Sequence, residues 1–258
     1  MSLKIGILAA GITPDDLLPE FGSYADMCKR LFRQAGFTFD YVTFDVRDDV
    51  FPASAKDCDA WIVTGSKANV YEDLPWMRRL KALILEIYDA DLPTVGICFG
   101  HQIIAEAFGG DVNKYPDGWG VGLHRYEMVP GAEGLDAGMS SFTLSAMHQD
   151  QVLVKPDSAK VLASSPFCPF AALQYDDRIL TFQAHPEFDV TFETRLVEYL
   201  RGMSVPKDKA DQALEDLTVP AAATDSIAIA HWMASFLQRG GPTQQDAAGA
   251  DVQETSKS

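Results

Sequence analysis

One cysteine stands between two glycines where an apolar strand meets a helix. Segment 94–97 is short and apolar, Cys98 follows with glycine at positions 96 and 100, and a helical pattern begins near His101. A strand that enters a helix through G-x-C-x-G forms the cysteine version of a nucleophile elbow, because small neighbours allow a sharp turn that presents the central side chain. The pattern therefore predicts a strand joined directly to a helix, with Cys98 as the nucleophile.

The position of Cys98 also favours its reactive form. Unpaired N–H groups and the positive end of the helix dipole stabilise a thiolate at a helix N-terminus. The alternative is an inert cysteine at the end of a buried strand, since free cysteine is among the most often buried residue types. The flanking glycines favour the nucleophile.

Strands and helices alternate through the first half of the chain. Strand patterns cover residues 3–9, 37–46, 60–64 and 93–97, and helical patterns cover 24–34, 75–88 and 101–108. This rhythm indicates βαβ units and an α/β fold, in which a mostly parallel sheet is flanked by helices. The ligand site of such a sheet lies beyond the carboxyl ends of its strands, where Cys98 is expected.

The second half of the chain has mostly short strands. They are predicted at 121–129, 142–147, 151–154, 160–163, 171–175 and 179–183. We expect them to extend the sheet or to form a small antiparallel extension in the same domain. Helical patterns return at 192–200 and around 229–237. The sequence thus predicts one domain over residues 1–239, and the Gly-, Gln- and Ser-containing residues 240–258 are expected to form a disordered tail.

Charge and cysteine content limit the classes of partner and compartment. With 37 acidic against 21 basic residues, the formal net charge is −16 at pH 7. We therefore expect neither nucleic acid nor an anionic membrane as a partner. The four cysteines form no C-x-x-C pair, which argues against a disulfide framework or a zinc ribbon and favours a reducing compartment. The first residues lack the features of a signal peptide, so we expect a cytoplasmic protein.

A cysteine nucleophile needs a base, and the base needs an acceptor that orients it. Among five histidines, His185 is the best candidate, because Glu187 lies two residues further on after a strand. Residues two apart in an extended chain face the same side. Pro186 favours an extended conformation at His185. The alternative is a surface turn with a solvated carboxylate.

The segment Gly96–Gln102 together with His185-Pro186-Glu187 resembles the class I (triad) glutamine amidotransferases, in particular stand-alone proteins similar to the amidotransferase domain of GMP synthase. The resemblance covers roughly residues 3–237. It implies a flavodoxin-like fold and hydrolysis of the glutamine side-chain amide through a γ-glutamyl thioester. It also implies Cys98 as nucleophile, His185 as general base and then acid, and Glu187 as the residue that orients His185. We expect neither a cofactor nor a metal.

The resemblance further implies donors for the oxyanion that forms during acyl transfer. The backbone N–H of Phe99 is one candidate, because it follows the nucleophile directly. The turn 63–67 resembles the oxyanion turn of the family, so Gly65 and Ser66 are the other candidates. Ser66 and Lys67 replace the second glycine and the proline that are usual there, although a backbone N–H remains available at residue 66.

Further residues match substrate-side positions of the family: Gln102, Gly118, Trp119, His148, Gln149 and Asp150. Position 149 is often glycine in the family, and position 184, here alanine, is often aromatic, so the pocket is expected to differ. His148 and Asp150 could instead form a second dyad or a metal pair. Two ligands with no neighbouring cysteine or histidine are a weak metal signal.

Three functional readings remain open. The main one is a glutamine amidotransferase-type hydrolase whose acceptor or synthetase subunit is supplied by another chain. The second is a γ-glutamyl peptidase, in which the same triad cleaves peptides such as glutathione. The third is a non-catalytic binding or regulatory protein, which has no evident reason to keep all three triad residues.

Overall fold

The computed structural model describes residues 2–135 and 139–240. Within these ranges the chain forms β1 (Lys4–Leu8), α1 (Leu18–Phe21), α2 (Tyr24–Gln34), β2 (Asp40–Phe44), β3 (Ala60–Val63), α3 (Pro75–Asp89), β4 (Thr94–Ile97), α4 (Phe99–Ala107), β5 (Asp111–Lys114), β6 (Gly120–Met128), β7 (Ser141–His148), β8 (Asp150–Val154), β9 (Ala159–Ser164), β10 (Ala172–Tyr175), β11 (Ile179–Phe182), α5 (Val190–Leu200), α6 (Lys207–Leu217) and α7 (Ser226–Leu237). Short 3-10 helices lie at Val46–Asp48, Ala55–Asp57, Val70–Glu72 and Gln238–Gly240.

A nine-stranded mixed sheet forms the centre of the molecule, in the order β2-β1-β3-β4-β11-β10-β9-β6-β7. The first five strands of this order are parallel to one another. Strands β10, β9, β6 and β7 continue the sheet by antiparallel pairing. The α/β fold with a mostly parallel sheet and an antiparallel extension is thus confirmed. Strands β5 and β8 form a separate two-stranded antiparallel sheet.

Helices cover both faces of the parallel region. On one face α2 packs with α7 through residues such as Leu31, Phe32 and Met233. On the other face α3 and α4 pack through residues such as Ile84 and Ile103. Because the central strands are buried on both faces, they read as continuous apolar runs, which is typical of parallel strands. A capping box between Ser23 and Asp26 fixes the start of α2.

The amphipathic helices α5 and α6 cover the outer part of β6 and β7. Ala213 and Leu217 of α6 pack with Val197 of α5, and Val121 and Leu123 of β6 complete this cluster. Helix α6 was not predicted from the sequence. Its buried stripe consists mainly of small residues within a charged segment, so its hydrophobic periodicity is weak.

Several boundaries differ from the sequence-based expectations. Helix α4 begins at Phe99, directly after the nucleophile candidate, rather than near His101. The turn is therefore tighter than expected, with no connecting loop. Of the predicted tail, residues 241–258 lie outside the described residues, and the domain boundary stays a prediction. None of the helices in the described ranges has the length and hydropathy needed to cross a membrane.

Candidate active site

The turn between β4 and α4 holds Cys98 in a strained conformation. Its φ is 51° and its ψ is −103°, a combination that costs energy for a residue with a side chain. The flanking glycines are required by packing: a Cβ on Gly100 would lie 2.3 Å from the carbonyl oxygen of Val63, and a Cβ on Gly96 would lie 2.9 Å from the carbonyl carbon of Gly100. The strand and helix therefore approach each other more closely than larger residues allow.

Helix α4 directs its N-terminus at the Cys98 position. The N–H of Gln102 donates to the carbonyl oxygen of Cys98 at 3.0 Å, which makes Cys98 the N-cap residue. The backbone N–H groups that follow, including that of Phe99, have no partner inside the helix. These groups and the helix dipole stabilise negative charge at the turn.

His185 and Glu187 lie beside Cys98 in the segment that follows β11. Nδ1 of His185 is 2.8 Å from Oε1 of Glu187, and the Cys98 side chain lies close enough to act on the ring electrostatically. The backbone N–H of His185 donates to the carbonyl oxygen of Ser145 at 2.8 Å. The ring of Phe188 stacks on the imidazole, with centroids 3.9 Å apart and planes inclined by 4°. The imidazole is thus held by contacts on several sides.

Burial and charge act in opposite directions on His185. The relative exposure of Cys98 is 5%, of His185 3% and of Glu187 6%. Burial disfavours the imidazolium, but Cys98 and Glu187 together raise the pKa of His185 well above its usual range. The Cys98 and Glu187 side chains therefore favour the imidazolium form of His185.

Gly65 places the turn after β3 against the His185 ring. A Cβ at this position would lie 2.8 Å from Cε1 of His185 and 3.7 Å from Cβ of Cys98. The Ser66 hydroxyl accepts a hydrogen bond from the N–H of Ala68 at 3.2 Å, and Lys67 is exposed. The turn at Gly65 thus borders Cys98, and the oxyanion role of Gly65 and Ser66 stays a prediction.

Gln102 is buried and bonded inside the protein. Its Nε2 donates to the carbonyl oxygen of Asp150 at 2.8 Å and to Oε1 of Gln183 at 3.2 Å. In turn, Nε2 of Gln183 lies 3.9 Å from Sγ of Cys98. Gln183 was not among the residues singled out from the sequence, although it lies two residues before His185. Two amide side chains therefore connect β8 to the sulfur, and the amide nitrogen of Gln102 is already occupied.

The segment 148–150 lies where the chain passes from β7 to β8. His148 is buried, and neither ring nitrogen has a hydrogen-bond partner. Burial lowers the pKa of His148 to about 3, so this ring is neutral at physiological pH. The carbonyl oxygen of Gln149 accepts from the N–H of Tyr115, and the carbonyl oxygen of Asp150 accepts from Nε2 of Gln102. These hydrogen bonds fix the segment 148–150 to neighbouring parts of the chain.

Gly118 and Trp119, the other two predicted substrate-side residues, lie in different surroundings from each other. Gly118 has φ of +88° and open space around its Cβ position. Trp119 is partly buried against the cluster formed by α5 and α6, which includes Val197 and Val205. Among residues 2–135 and 139–240, no group of three or more His, Cys, Asp or Glu side chains is arranged to hold a metal ion.

The chain is similar to known proteins over most of its length. The family model described as glutamine amidotransferase class-I matches residues 17–199. A glutamine amidotransferase-like protein of Schizosaccharomyces pombe is 30% identical over 235 residues, which cover 86% of this chain and 94% of that protein. Gamma-glutamyl peptidase 5 of Arabidopsis thaliana is 30% identical over 202 residues, 75% of this chain and 79% of that protein. A glutamine amidotransferase structure from Thermotoga maritima has a TM-score of 0.71 at 17% identity, covering 93% of this chain and 98% of that chain.

Proposed function

Because the chain belongs to the class I glutamine amidotransferase family and has its flavodoxin-like fold, we propose that it hydrolyses the side-chain amide of glutamine at Cys98. The observation that supports this most directly is the strained, buried cysteine next to a histidine that a carboxylate holds at 2.8 Å. An inert cysteine would not need a positive φ, two packing glycines and a charged partner. The same arrangement argues against a non-catalytic role.

In the proposed first step, the Cys98 thiolate attacks the amide carbon of glutamine. The negative charge that develops on the amide oxygen is stabilised by the backbone N–H of Phe99 and by the N–H of Ser66 in the turn after Gly65. The His185 imidazolium gives its proton to the leaving nitrogen, so ammonia departs and a γ-glutamyl thioester remains.

In the proposed second step, water replaces ammonia. Neutral His185 takes a proton from the water while its oxygen attacks the thioester carbon, and the sulfur leaves as thiolate. Glutamate is released, the proton of the new carboxyl group passes to ammonia in solution, and the net reaction is glutamine plus water to glutamate plus ammonium. Glu187 keeps Nδ1 of His185 protonated and stabilises the imidazolium in both steps.

The substrate side is formed by the residues around the turn. We propose that Gly118, His148, Gln149 and Asp150 line the glutamine pocket, with His148 acting as a neutral hydrogen-bonding group. Gln102 then acts through its contact with Gln183, because its amide nitrogen is bonded within the protein. Trp119 is the weakest member of this set, since its ring packs toward α5 and α6.

The fate of the ammonia separates two candidate functions. The resemblance to the GMP synthase amidotransferase domain favours transfer to an acceptor or synthetase subunit on another chain. The similarity to gamma-glutamyl peptidase 5 favours cleavage of γ-glutamyl peptides instead. The low exposure of Cys98 favours the small amide of glutamine over a peptide, because a peptide needs more room beyond the scissile bond.

Steady-state kinetics with glutamine and a panel of γ-glutamyl dipeptides test the proposal through glutamate release. We expect the isolated chain to hydrolyse glutamine slowly, since an amidotransferase gains by completing its site only when the acceptor is ready. Glutamine should nevertheless have the highest kcat/KM. A peptide turned over at least about tenfold better, or about 1.4 kcal/mol in transition-state stabilisation, would favour the peptidase. No hydrolysis of any of them would contradict both functions.

A further inference from the structure

Helix α5 carries a buried carboxyl group that experiences the charge of His185. The relative exposure of Glu193 is 0%. Its Oε1 accepts a hydrogen bond from the N–H of Gly122 at 3.1 Å, whereas its Oε2 has no partner. An unpartnered polar atom in the protein interior costs stability. A glutamate at this position therefore lowers the stability of the fold. None of the proposed reaction steps uses this carboxyl group.

Two series of contacts connect Glu193 and its neighbour Phe192 to His185. Gly122 precedes Leu123, which pairs with Ser145 of β7, and Ser145 holds the backbone N–H of His185. On the helix side, the ring of Phe192 lies 4.5 Å from that of Phe188, which stacks on the imidazole. The Glu193 carboxyl thus belongs to the layer that supports the ring.

The titratable groups around Glu193 come from three other elements. His185 and Glu187 act on it from the segment after β11. Tyr24 of α2 and Tyr126 of β6 are also close enough to experience its charge. Burial raises the pKa of Glu193 to about 8, so the carboxyl is neutral at pH 7 and becomes charged in mildly alkaline solution.

We propose that Glu193 is a positioning residue for the catalytic pair, which supports His185 as a neutral acid and, once ionised, helps to keep the imidazolium charged. This inference rests on the proposed role of His185 as partner of Cys98. A negative charge near an imidazolium stabilises it. The ionised form therefore extends the Cys98–His185 ion pair to higher pH than a neutral side chain would allow.

The test is the pH dependence of Cys98 alkylation by iodoacetate, with the product quantified by peptide mapping. Iodoacetate is an anion and reacts fastest when the thiolate has a positive imidazolium beside it, so the alkaline limb of the profile reports loss of the His185 proton. Glu193→Gln keeps an acceptor for Gly122 but cannot ionise. We expect it to move the alkaline limb down by about one pH unit and to leave the acidic limb in place.

Glu198→Gln is the matched control, because Glu198 lies on the same helix with an exposed side chain. Its profile should coincide with that of the wild type. An unmoved alkaline limb in Glu193→Gln, or an equal shift in Glu198→Gln, would overturn the proposal. A displacement of both limbs would indicate a purely structural change and would overturn it as well.

Alkylation requires no substrate, so this result is independent of whether the chain hydrolyses glutamine. If Glu193→Gln does not fold, carbon-13 NMR of glutamate carboxyl groups in the wild type replaces the comparison. We then expect one carboxyl carbon to titrate near pH 8 together with a change in the His185 ring signals. Titration of all glutamate carboxyls in the acidic range would overturn the proposal.

Discussion

At the scale of single residues, the site depends on how closely backbone and side chains approach His185. Gly65 lies against the imidazole, Glu187 holds Nδ1 and Phe188 stacks on the ring. A general base must reach its proton with the correct ring atom, so each of these contacts supports the proposed chemistry. Substitutions at Gly65 and at Glu187 perturb two of these contacts separately.

His185→Ala should lower kcat for glutamine by roughly a thousandfold, because it removes the proposed base and acid. Glu187→Gln should cost appreciably less, since the carboxylate orients and stabilises the imidazolium without entering the bond-making step. Steady-state kinetics of both variants give the comparison. His148→Ala changes the proposed glutamine pocket and should mainly affect KM, so an equal loss of kcat in this variant, with folding unchanged, would show that His185 is the wrong histidine.

Gly65→Ala should lower kcat by about a hundredfold, because the new methyl group displaces the ring from its position near Cys98. The backbone of Gly65 does not have a positive φ, so alanine fits the chain conformation and the Tm should stay close to that of the wild type. Ser66→Ala lies in the same turn, adds no bulk and should keep most of the activity. Full activity in Gly65→Ala would show that the turn can move away from His185.

At the scale of elements, long apolar periodicity was enough to predict the parallel strands and helices α2, α3 and α7. It failed where burial involves few or small residues. Strand β5 buries only Val112, and α6 buries Ala210, Ala213 and Leu217 within a charged sequence. The pairing of β5 with β8 in a separate sheet also depends on tertiary contacts that local periodicity does not encode.

The burial of Glu193 of α5 against Gly122 of β6 predicts that the free energy of unfolding depends on pH. The pKa of Glu193 is raised to about 8 by burial, whereas an unfolded glutamate has a pKa of about 4.3. The neutral form therefore stabilises the fold fully below the unfolded pKa, and this contribution is lost as pH rises toward 8. Relative to the wild type, Glu193→Gln should gain up to about 1.4 kcal/mol in unfolding free energy per pH unit over this window.

Urea unfolding of both proteins between about pH 5 and pH 9, which covers most of the predicted window and extends past its upper end, measures this difference. Above pH of about 8 the difference should become constant, because Glu193 is then charged in both the folded and the unfolded state. Glu198→Gln should show no such trend. Parallel curves for Glu193→Gln and the wild type would contradict the assigned burial effect.

At the scale of the whole molecule, the sequence could indicate only those site residues that lie in short motifs. Cys98 is marked by its glycines, and His185 by the proline and glutamate that follow it. Gln183, the approach of Gly65 to His185 and the placement of Glu193 depend on how separate strands and helices pack. No sequence spacing encodes those distances, so these three features became visible only in the fold.

The most direct test of the proposed function is the site of covalent labelling by diazo-oxo-norleucine, a glutamine-like electrophile. We expect peptide mapping of the whole chain to find the label on Cys98, with glutamine protecting against it, because among the four cysteines of the described residues this one lies beside His185 and at a helix N-terminus. Cys98→Ser should take up no label and lose most hydrolysis while remaining folded. A label found mainly on Cys28, Cys58 or Cys168 would contradict the assignment of Cys98 as the nucleophile.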